Sequence, residues 1–261
     1  MIDQLVSRYM SAPVRTIRDD APLGDAHHIL REYTLSSLAV VDAHKRLVGV
    51  VSRTDLLRVG RIEDGARRGH MLLSLPDRPV RDVMTAGAVT VRSDATARAA
   101  AEELVHRHIH RVYVTDAHDA LVGVFSTRDA MDVVRDRHVA APLSDFMSTP
   151  VLTVSTADTV ATATDRLRDA HVAGLVVLDE EETPVGVFTQ VEALQSRDDE
   201  GGTPVEDRMS YAILCLPLKT SMARAAANAA ATRARRVIAV EGRRVWGTLT
   251  GIDFARAIIA G

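Results

Sequence analysis

The chain has 261 residues, a formal net charge of -3 and 26% charged residues, which is long enough for two domains with separate cores and leaves no large basic surface for nucleic acid. Its single cysteine excludes an internal disulfide, and no run of about 18 apolar residues is present to span a membrane. Because the N-terminus also lacks a basic and apolar leader, we expect a cytoplasmic protein without nucleic-acid or membrane partners.

One unit of sequence recurs four times along the chain. Each copy opens at a methionine: Met10, Met84, Met147 and Met209. An alanine lies at the same distance after each of these methionines, with no gap in the count: Ala26, Ala100, Ala163 and Ala225. A register that holds in four places predicts an internal structural repeat.

Within each unit the hydrophobic pattern predicts a short extended piece, a helix, two strands joined by a polar turn, and a final helix. The strand pairs are Leu38 to Val41 with Leu47 to Val51, Val112 to Thr115 with Leu121 to Phe125, Leu175 to Leu178 with Val185 to Phe188, and Val237 to Val240 with Val245 to Leu249. The first helices have capping residues at Thr96, Thr159 and Ser221. The predicted order is β-α-β-β-α, an α+β fold.

A seven-residue pattern ends the second strand of every unit and opens its last helix. It starts at Gly49, Gly123, Gly186 and Gly247. Each copy has a glycine, two strand-forming residues, a hydroxyl residue, two variable positions and an acid. The acids are Asp55, Asp129, Glu192 and Asp253, and the hydroxyl residues are Ser52, Ser126, Thr189 and Thr250.

The spacing of the methionines gives the domain boundaries. It predicts repeats at 1–60, 79–138, 139–197 and 204–261, with linkers at 61–78 and 198–203. The first linker contains several glycines together with the apolar segment Met71-Leu72-Leu73, so we expect a linker with a packed tip.

The unit resembles the cystathionine-β-synthase (CBS) domain. The resemblance rests on the leading methionine, the alanine of the first helix, the Val40-Val41-Asp42 type of strand ending, and the glycine heptad. It implies four CBS repeats packed as two pseudo-twofold pairs, called Bateman modules. Repeats 1 and 2 would form the first module, and repeats 3 and 4 the second, with two clefts in each.

The resemblance also implies a ligand. Clefts of this family commonly hold AMP, ADP, ATP or S-adenosylmethionine as regulatory ligands, and no cofactor is required. The heptad acid would bind the ribose hydroxyls and the heptad hydroxyl would lie near phosphate. A further contact would map to Thr16, Thr90 and Thr153.

The same heptad has a second interpretation, because Ser/Thr-x-x-acid is also the pattern of a helix capping box. A protein with empty clefts would keep these residues only as caps and would serve a structural or interaction role. Cap and ribose contact are compatible in one carboxylate, so the sequence leaves both open.

The four copies differ where the second strand begins. The pairs are Ser36-Ser37, His110-Arg111, Ala173-Gly174 and Arg235-Arg236. Arg111 and Arg236 suit phosphate because guanidinium binds it through two nitrogens; an arginine at a solvated strand edge is the alternative. Repeat 3 has Glu192 in place of aspartate and no charge here, so its cleft is expected to have lost its ligand.

Other residues give weaker signals. His106, His108 and His110 alternate without a nearby cysteine or acid cluster, so no metal site is expected. Cys215 is predicted to be small and buried in a strand, and Trp246 to pack in the core.

No nucleophile and base constellation is present in the sequence, so we do not expect an enzyme. The sequence predicts a stand-alone regulatory protein that signals by a conformational change. Its partner would be an effector protein or a second copy in a homodimer.

Overall fold

A computed structural model describes residues 4–64, 71–199, 202–232, 234 and 236–261. The first repeat contains β1 (Thr16–Arg18), α1 (Leu23–Glu32), β2 (Ser37–Val41), β3 (Leu47–Ser52) and α2 (Arg53–Val59). Two additional strands, β4 (Arg61–Asp64) and β5 (Met71–Ser74), follow it. The second repeat contains β6 (Thr85–Ala86), β7 (Thr90–Arg92), α3 (Ala97–His106), β8 (Arg111–Thr115), β9 (Leu121–Ser126) and α4 (Thr127–Asp136).

The later repeats have the same order of elements. The third contains β10 (Thr153–Ser155), α5 (Val160–Asp169), β11 (Gly174–Leu178), β12 (Pro184–Thr189) and α6 (Gln190–Gln195). The fourth contains β13 (Leu214–Pro217), α7 (Met222–Thr232), β14 (Arg236–Glu241), β15 (Arg244–Thr250) and α8 (Gly251–Ala260). The predicted β-α-β-β-α unit is therefore confirmed in four copies, and the heptad ends a strand and opens a helix in each.

The strand register is the same in all four repeats. The first strand pairs in parallel with the second, as in Thr16 opposite Ala39 and Thr153 opposite Val176. In repeats 1, 3 and 4 the second strand then pairs antiparallel with the third across a bulge near the turn. A parallel pair needs a crossover, and the first helix of each unit provides it. The apolar face of this helix packs on the sheet: Leu23, Ala26 and Leu30 in repeat 1, and Val160, Ala163 and Leu167 in repeat 3.

The predicted linker 61–78 contains regular structure that the sequence pattern did not predict. Strands β4 and β5 pair antiparallel, with Arg61 opposite Ser74. Leu73, one residue of the expected packed tip Met71-Leu72-Leu73, packs with Leu75 against the core of repeat 1; the side chains of Met71 and Leu72 lie outside the described residues. The exact repeat boundaries and the linker at 198–203 stay predictions.

Contacts between Cα atoms divide the chain into two units. One consists of Met1–Ser11, Ser93–Val112 and Phe125–Gly261, and the other of Ala12–Arg92 and Tyr113–Val124. The second unit contains β1 to α2 of repeat 1 with most of the strands of repeat 2. The first contains repeats 3 and 4 together with helices α3 and α4.

Repeats 3 and 4 exchange equivalent contacts, as a pseudo-twofold pair must. A short 3-10 helix precedes each of these two repeats. In the one before repeat 3, Leu143–Asp145, the backbone N–H of Leu143 donates to the carbonyl oxygen of Thr220 (2.9 Å), just before the first helix of repeat 4. In return, Val205–Asp207 donates to repeat 3 through Val205 N to Asp158 O (2.8 Å). Between the two sheets, Val176 and Val187 pack against Ile238.

The same kind of contact explains the leading methionine of repeats 2, 3 and 4 and the heptad glycine of repeats 1, 3 and 4. Met209 of repeat 4 packs on Gly186 of repeat 3, where an added Cβ would lie 2.7 Å from Sδ. Met147 packs in the same way on Gly247, at 2.4 Å. In the second unit Met84 lies against Gly49, at 2.8 Å. The heptad glycine is therefore needed for close approach of the neighbouring repeat, because any side chain would collide with the methionine.

Helices of repeats 2 and 4 pack together within the first unit, where α3 contacts α8 and α4 contacts both α7 and α8. Small residues permit this approach: Ala97, Ala100 and Ala101 of α3 and Ala225, Ala226 and Ala229 of α7 are buried. At the position of Ala101, repeat 1 has His27 and repeat 3 has Thr164. None of the helices in the described residues is long and apolar enough to cross a bilayer.

Candidate functional site

All four heptads form a capping box at the corner between strand and helix. In each, one carboxylate oxygen of the acid accepts from the backbone N–H and the hydroxyl of the N-cap residue. For Ser52 these bonds to Asp55 Oδ2 are 2.9 and 2.6 Å, and for Ser126 to Asp129 Oδ2 both are 2.6 Å. The sequence-predicted capping geometry is confirmed in every copy.

The second carboxylate oxygen distinguishes the copies. Asp253 Oδ1 accepts from Arg256 at 3.0 Å, and Asp55 Oδ1 lies 3.6 Å from Arg58. In contrast, Asp129 Oδ1 and Glu192 Oε1 accept from no other residue in the described part of the chain. These two outer oxygens can take a further hydrogen bond without breaking one.

Burial divides the acids in another way. Asp129 and Asp253 are buried, with 8% and 3% of their surface exposed, whereas Asp55 and Glu192 are half-buried. Burial raises the pKa of Asp129 and of Asp253, since removing a carboxylate from water disfavours its charge. The hydrogen bonds from Ser126 and Thr250 act in the opposite direction.

The two buried acids lie in the first turns of helices that meet. An added Cβ at Gly251, the first residue of α8, would lie 2.4 Å from Cβ of Thr127, the first residue of α4. Thr127 and Gly251 hold the same place in their heptads, so repeats 2 and 4 approach each other at equivalent corners.

The predicted threonines lie on the first strands. Thr16 and Thr90 are exposed on β1 and β7, and Thr153 is half-buried on β10. A cavity of about 440 Å³ adjoins Thr153; its other lining residues are Val151, Leu152, Arg166, Asp169, Ala170 and Leu175. The cavity belongs to the repeat whose cleft was expected to be empty, and that expectation stays a prediction.

The predicted basic residues begin the second strands. Arg111 is the first residue of β8 and Arg236 the first residue of β14, and both are half-buried. The guanidinium of Arg236 crosses to repeat 3 and lies against Gly174, whose added Cβ would be 2.6 Å from Nη1. The structure thus brings Arg236 to the position where the sequence analysis found no charge for repeat 3.

Two kinds of residue at these corners were not singled out from the sequence. Arg58 and Arg256 each follow the heptad acid by three residues, a spacing that places both side chains on one helix face. That spacing was a usable signal. Gly174 had no such signal, because its role depends on a side chain from another repeat.

Two predictions about single residues were wrong. Cys215 is exposed, since its strand β13 pairs on one side only and alternate residues face outward. Trp246 is 39% exposed instead of packed in the core. Its neighbours Val245 and Gly247 pair with the adjacent residues Val240 and Ala239, so Trp246 is the extra residue of a β-bulge. The bulge turns its side chain outward. The guanidinium of Arg244 covers its ring at 4.8 Å.

The three alternating histidines do not form a cluster of metal ligands. Among the described residues no group of three or more His, Cys, Asp or Glu side chains could hold a metal ion. His108 has a positive φ of 53° just after α3, where it ends the helix.

Comparison with known proteins places the corners of repeats 1, 2 and 3 in a recognised domain. The family model for the CBS domain matches residues 6–61, 80–136 and 143–198, more than half of the chain. An inosine-5'-monophosphate dehydrogenase of Methanocaldococcus jannaschii is 29% identical over 118 residues, 45% of this chain and 21% of that enzyme. An uncharacterized protein of the same archaeon, MJ1404, is 25% identical over 282 residues, 99% of this chain and 62% of that protein.

The chain thus spans less than two thirds of the length of either curated relative. Among solved structures, protein MJ1225 of M. jannaschii aligns with a TM-score of 0.75 at 15% identity. The alignment covers 97% of this chain and 99% of that one, and it shows a shared fold over nearly the whole chain.

Proposed function

The chain belongs to the CBS domain family, and on this premise we propose that it is a regulatory protein that binds an adenosine-containing ligand. AMP, ADP, ATP and S-adenosylmethionine are the candidates, with the clefts between paired repeats as their sites. The ligand would change the packing between repeats, and an effector protein or a second copy of the chain would receive the signal. A ligand can bias such a change only by its different affinity for the two arrangements.

One observation carries this proposal: a helix-capping carboxylate that uses only one oxygen for its cap. Asp129 binds the backbone and hydroxyl of Ser126 through Oδ2, while Oδ1 has no partner in another described residue. A carboxylate oxygen can accept from vicinal ribose hydroxyls, and the N-terminus of α4 provides free N–H groups for an anion. Glu192 has the same arrangement in repeat 3.

The formation of all four capping boxes favours a second candidate, a structural or interaction protein whose heptads serve only as caps. The two functions differ in what an acid contributes. As a cap alone, Asp129 contributes about 1 kcal/mol of stability and no ligand affinity. As a ligand residue, it contributes to both.

Isothermal titration with AMP, ADP, ATP and S-adenosylmethionine tests the proposal. At least one should bind to the wild type, and Asp129→Ala should weaken that binding at the repeat 2 site by about tenfold or more, as loss of a charged hydrogen bond does. Thr96→Ala is the matched control. Thr96 caps α3 in the same repeat by accepting from Ala99 N at 3.0 Å, so its loss should cost similar stability and leave affinity unchanged.

The result that contradicts the proposal is equally definite. If no candidate ligand gives heat or raises the unfolding temperature of the wild type, the heptads are caps and the second candidate is correct. If a ligand binds but Asp129→Ala and Thr96→Ala have equal affinities, the carboxylate of repeat 2 is only a cap.

A further inference from the structure

One face of helix α1 in repeat 1 borders a cavity that lies apart from the heptads. The cavity has a volume of about 510 Å³, and its described lining residues are Gly24, His27, His28, Arg31 and Glu32. These residues recur at intervals of three and four positions, so they share one side of the helix. They include no heptad residue and none of the strand threonines. The volume is in the range of sites for small molecules.

Gly24 provides the space in this face. An added Cβ at Gly24 would meet no atom within 4 Å. Helical side chains tilt toward the N-terminus, so the imidazoles of His27 and His28, one turn later, lean over the position that glycine leaves open. Glycine within a helix lowers stability relative to alanine, and no close contact requires glycine here.

The arginine of this face lacks the acid that pairs with its counterpart in repeat 3. That counterpart, Arg168 of α5, donates to Asp165 at 2.7 Å. In repeat 1 the place of the aspartate is taken by His28, and the one acid of the face, Glu32, lies 3.4 Å from that histidine. Arg31 forms no hydrogen bond or ion pair with another residue in the described ranges. Its donors are therefore available to a bound anion.

His27 is half-buried among other basic side chains. Burial lowers the pKa of His27, and Arg31, Arg53 and His28 lower it further because they repel the protonated ring. Arg53, the first residue of α2, reaches α1 by donating to the carbonyl oxygen of Leu30 at 3.0 Å. Strand β2, which also packs against α1, contributes no charged group. An anion at this face would be attracted to every one of these cations.

The face is unsuited to the packing of another helix. The counterparts of His27 in α3 and α7 are Ala101 and Ala226, both buried where the helices of repeats 2 and 4 pack together. Those small side chains permit close approach. A helix on the same face of α1 would bury two imidazoles and a guanidinium, and burial of unpaired charge is costly. A small anion neutralises this face, whereas a helix does not.

We propose that this face of α1 is a second ligand site, one that binds a phosphoryl group either as free inorganic phosphate or at the end of a small phosphate ester. The three acceptor oxygens of the group bond to the imidazoles of His27 and His28 and to the guanidinium of Arg31, and Gly24 leaves room for it. The site goes beyond the proposed adenosine ligand and does not depend on it.

Inorganic phosphate tests the site without adenosine. In NMR spectra of isotope-labelled histidine side chains, phosphate should shift the signals of His27, and acetate should not. A shift with glycerol 3-phosphate as well assigns the site to esters, and its absence assigns the site to the free anion. The bound anion favours the protonated ring, so the pKa of His27 should be higher in phosphate than in chloride. An equal shift with acetate would overturn the preference for a phosphoryl group.

Two arginine variants test the contact. Arg31→Gln should weaken phosphate binding by about tenfold or more, the loss expected for a charged hydrogen bond. Arg168→Gln is the matched control. It removes the equivalent arginine of repeat 3, which is already paired with Asp165, so phosphate affinity should stay at the wild-type value.

Two glycine variants test the space. Gly24→Gln fills the cavity while every cation remains, so it should weaken phosphate binding about as much as Arg31→Gln. Gly24→Ala adds too little volume to do so and should bind phosphate within about twofold of wild type. Both variants place a better helix former in α1, and thermal unfolding checks that they are folded.

Three results would overturn the site. One is phosphate affinity at the wild-type value in both Arg31→Gln and Gly24→Gln, or no histidine shift at all. Another is a dimer in analytical ultracentrifugation that Gly24→Gln dissociates, because a second copy of the chain would then cover this face. The third is loss of phosphate binding in Asp129→Ala, which would place the anion in the heptad cleft of repeat 2. Failure of the adenosine ligands, with the phosphate shift of His27 intact, contradicts the proposed function alone.

Discussion

At the scale of single residues, the turns between the second and third strands hold one position in a left-handed conformation. Lys45, Asp119 and Glu182 have φ values of 61°, 60° and 59°, and repeat 4 has Gly242 there at 61°. An L-residue in this region is strained by contact between Cβ and the backbone, which glycine lacks. Three repeats therefore retain a strained residue where the fourth has the unstrained one.

Glu182→Gly should consequently stabilise the protein. The side chain of Glu182 is exposed, and relief of the left-handed strain should raise the free energy of unfolding by about 1 kcal/mol. Glu180→Gly, an exposed position two residues earlier in the same turn without a positive φ, should lower it. Urea unfolding measures both. An equal loss in the two variants would show that the turn is not strained at position 182.

The residue scale also shows how far sequence reasoning extends. The capping boxes were predictable because Ser/Thr-x-x-acid acts within one helix turn. The sequence analysis used Asp42 as part of a strand ending. The structure shows that Asp42 and its counterparts Asp116 and Asp179 each accept from the backbone N–H groups two and four residues later. The contact of Arg236 with Gly174 was not predictable, because it joins residues 62 positions apart by sequence number.

At the scale of elements, repeats 1, 3 and 4 each receive a methionine from the neighbouring repeat. Met209 is 7% exposed and lies within the core of repeat 3 together with Phe188 and Val205. The sequence revealed that the glycine follows the methionine by 39 residues in three copies and by 38 in the fourth, but not that the two residue types contact each other across repeats. Periodicity along a chain identifies equivalent positions and gives no information on which copies touch.

A double-mutant cycle tests this contact. Met209→Ala should lower the free energy of unfolding by about 2–4 kcal/mol through the cavity it leaves, and Gly186→Ala by about 1–3 kcal/mol through collision with Sδ. In the double variant, the new methyl group at position 186 should occupy part of the cavity left at position 209. The free energy of unfolding should then fall by less than the sum of the two single losses, by about 1 kcal/mol or more. Relief is incomplete because Ser210 O also lies 3.0 Å from the added Cβ.

The control exchanges the glycine. The three atoms nearest to an added Cβ at Gly247 all belong to Met147, so Met209→Ala and Gly247→Ala should have additive effects. Coupling in this control pair, or additivity in the first pair, would contradict the exchange of methionines between repeats 3 and 4.

The elements themselves were largely predictable, apart from the hairpin of β4 and β5. The alternation of apolar residues in the repeated strands produced boundaries within a residue or two. The hairpin strand Arg61–Asp64 contains three charged residues and no alternating apolar face. Its pairing with Met71–Ser74 adds backbone hydrogen bonds that do not depend on a hydrophobic pattern.

At the scale of the whole molecule, packing between repeats makes the four sequence-equivalent acids different. The corners of repeats 2 and 4 meet at Thr127 and Gly251, and their acids are buried. Those of repeats 1 and 3 are half-buried. The burial of a particular carboxylate depends on elements from two repeats, which no pattern within one repeat indicates. The sequence therefore predicts the acid and its capping bonds, whereas the effect of burial on the pKa of that acid becomes visible only in the packed unit.

The pH dependence of stability follows from this burial. The folded-state pKa of Asp129 is raised above its ordinary value of 3.8, so above pH 3.8 the folded protein holds this proton more tightly than the unfolded chain. The free energy of unfolding then falls as pH rises through the interval between the two pKa values.

Asp129→Asn retains a carbonyl acceptor for the cap and cannot ionise. Measured by urea unfolding from pH 4 to pH 8, its stability relative to wild type should rise with pH and level off above the folded-state pKa. Asp253→Asn should show the same sign, and Thr96→Ala, which removes a cap without a titrating group, should differ from wild type by a constant amount. A constant difference for Asp129→Asn as well would mean that packing of repeats 2 and 4 does not desolvate this carboxylate.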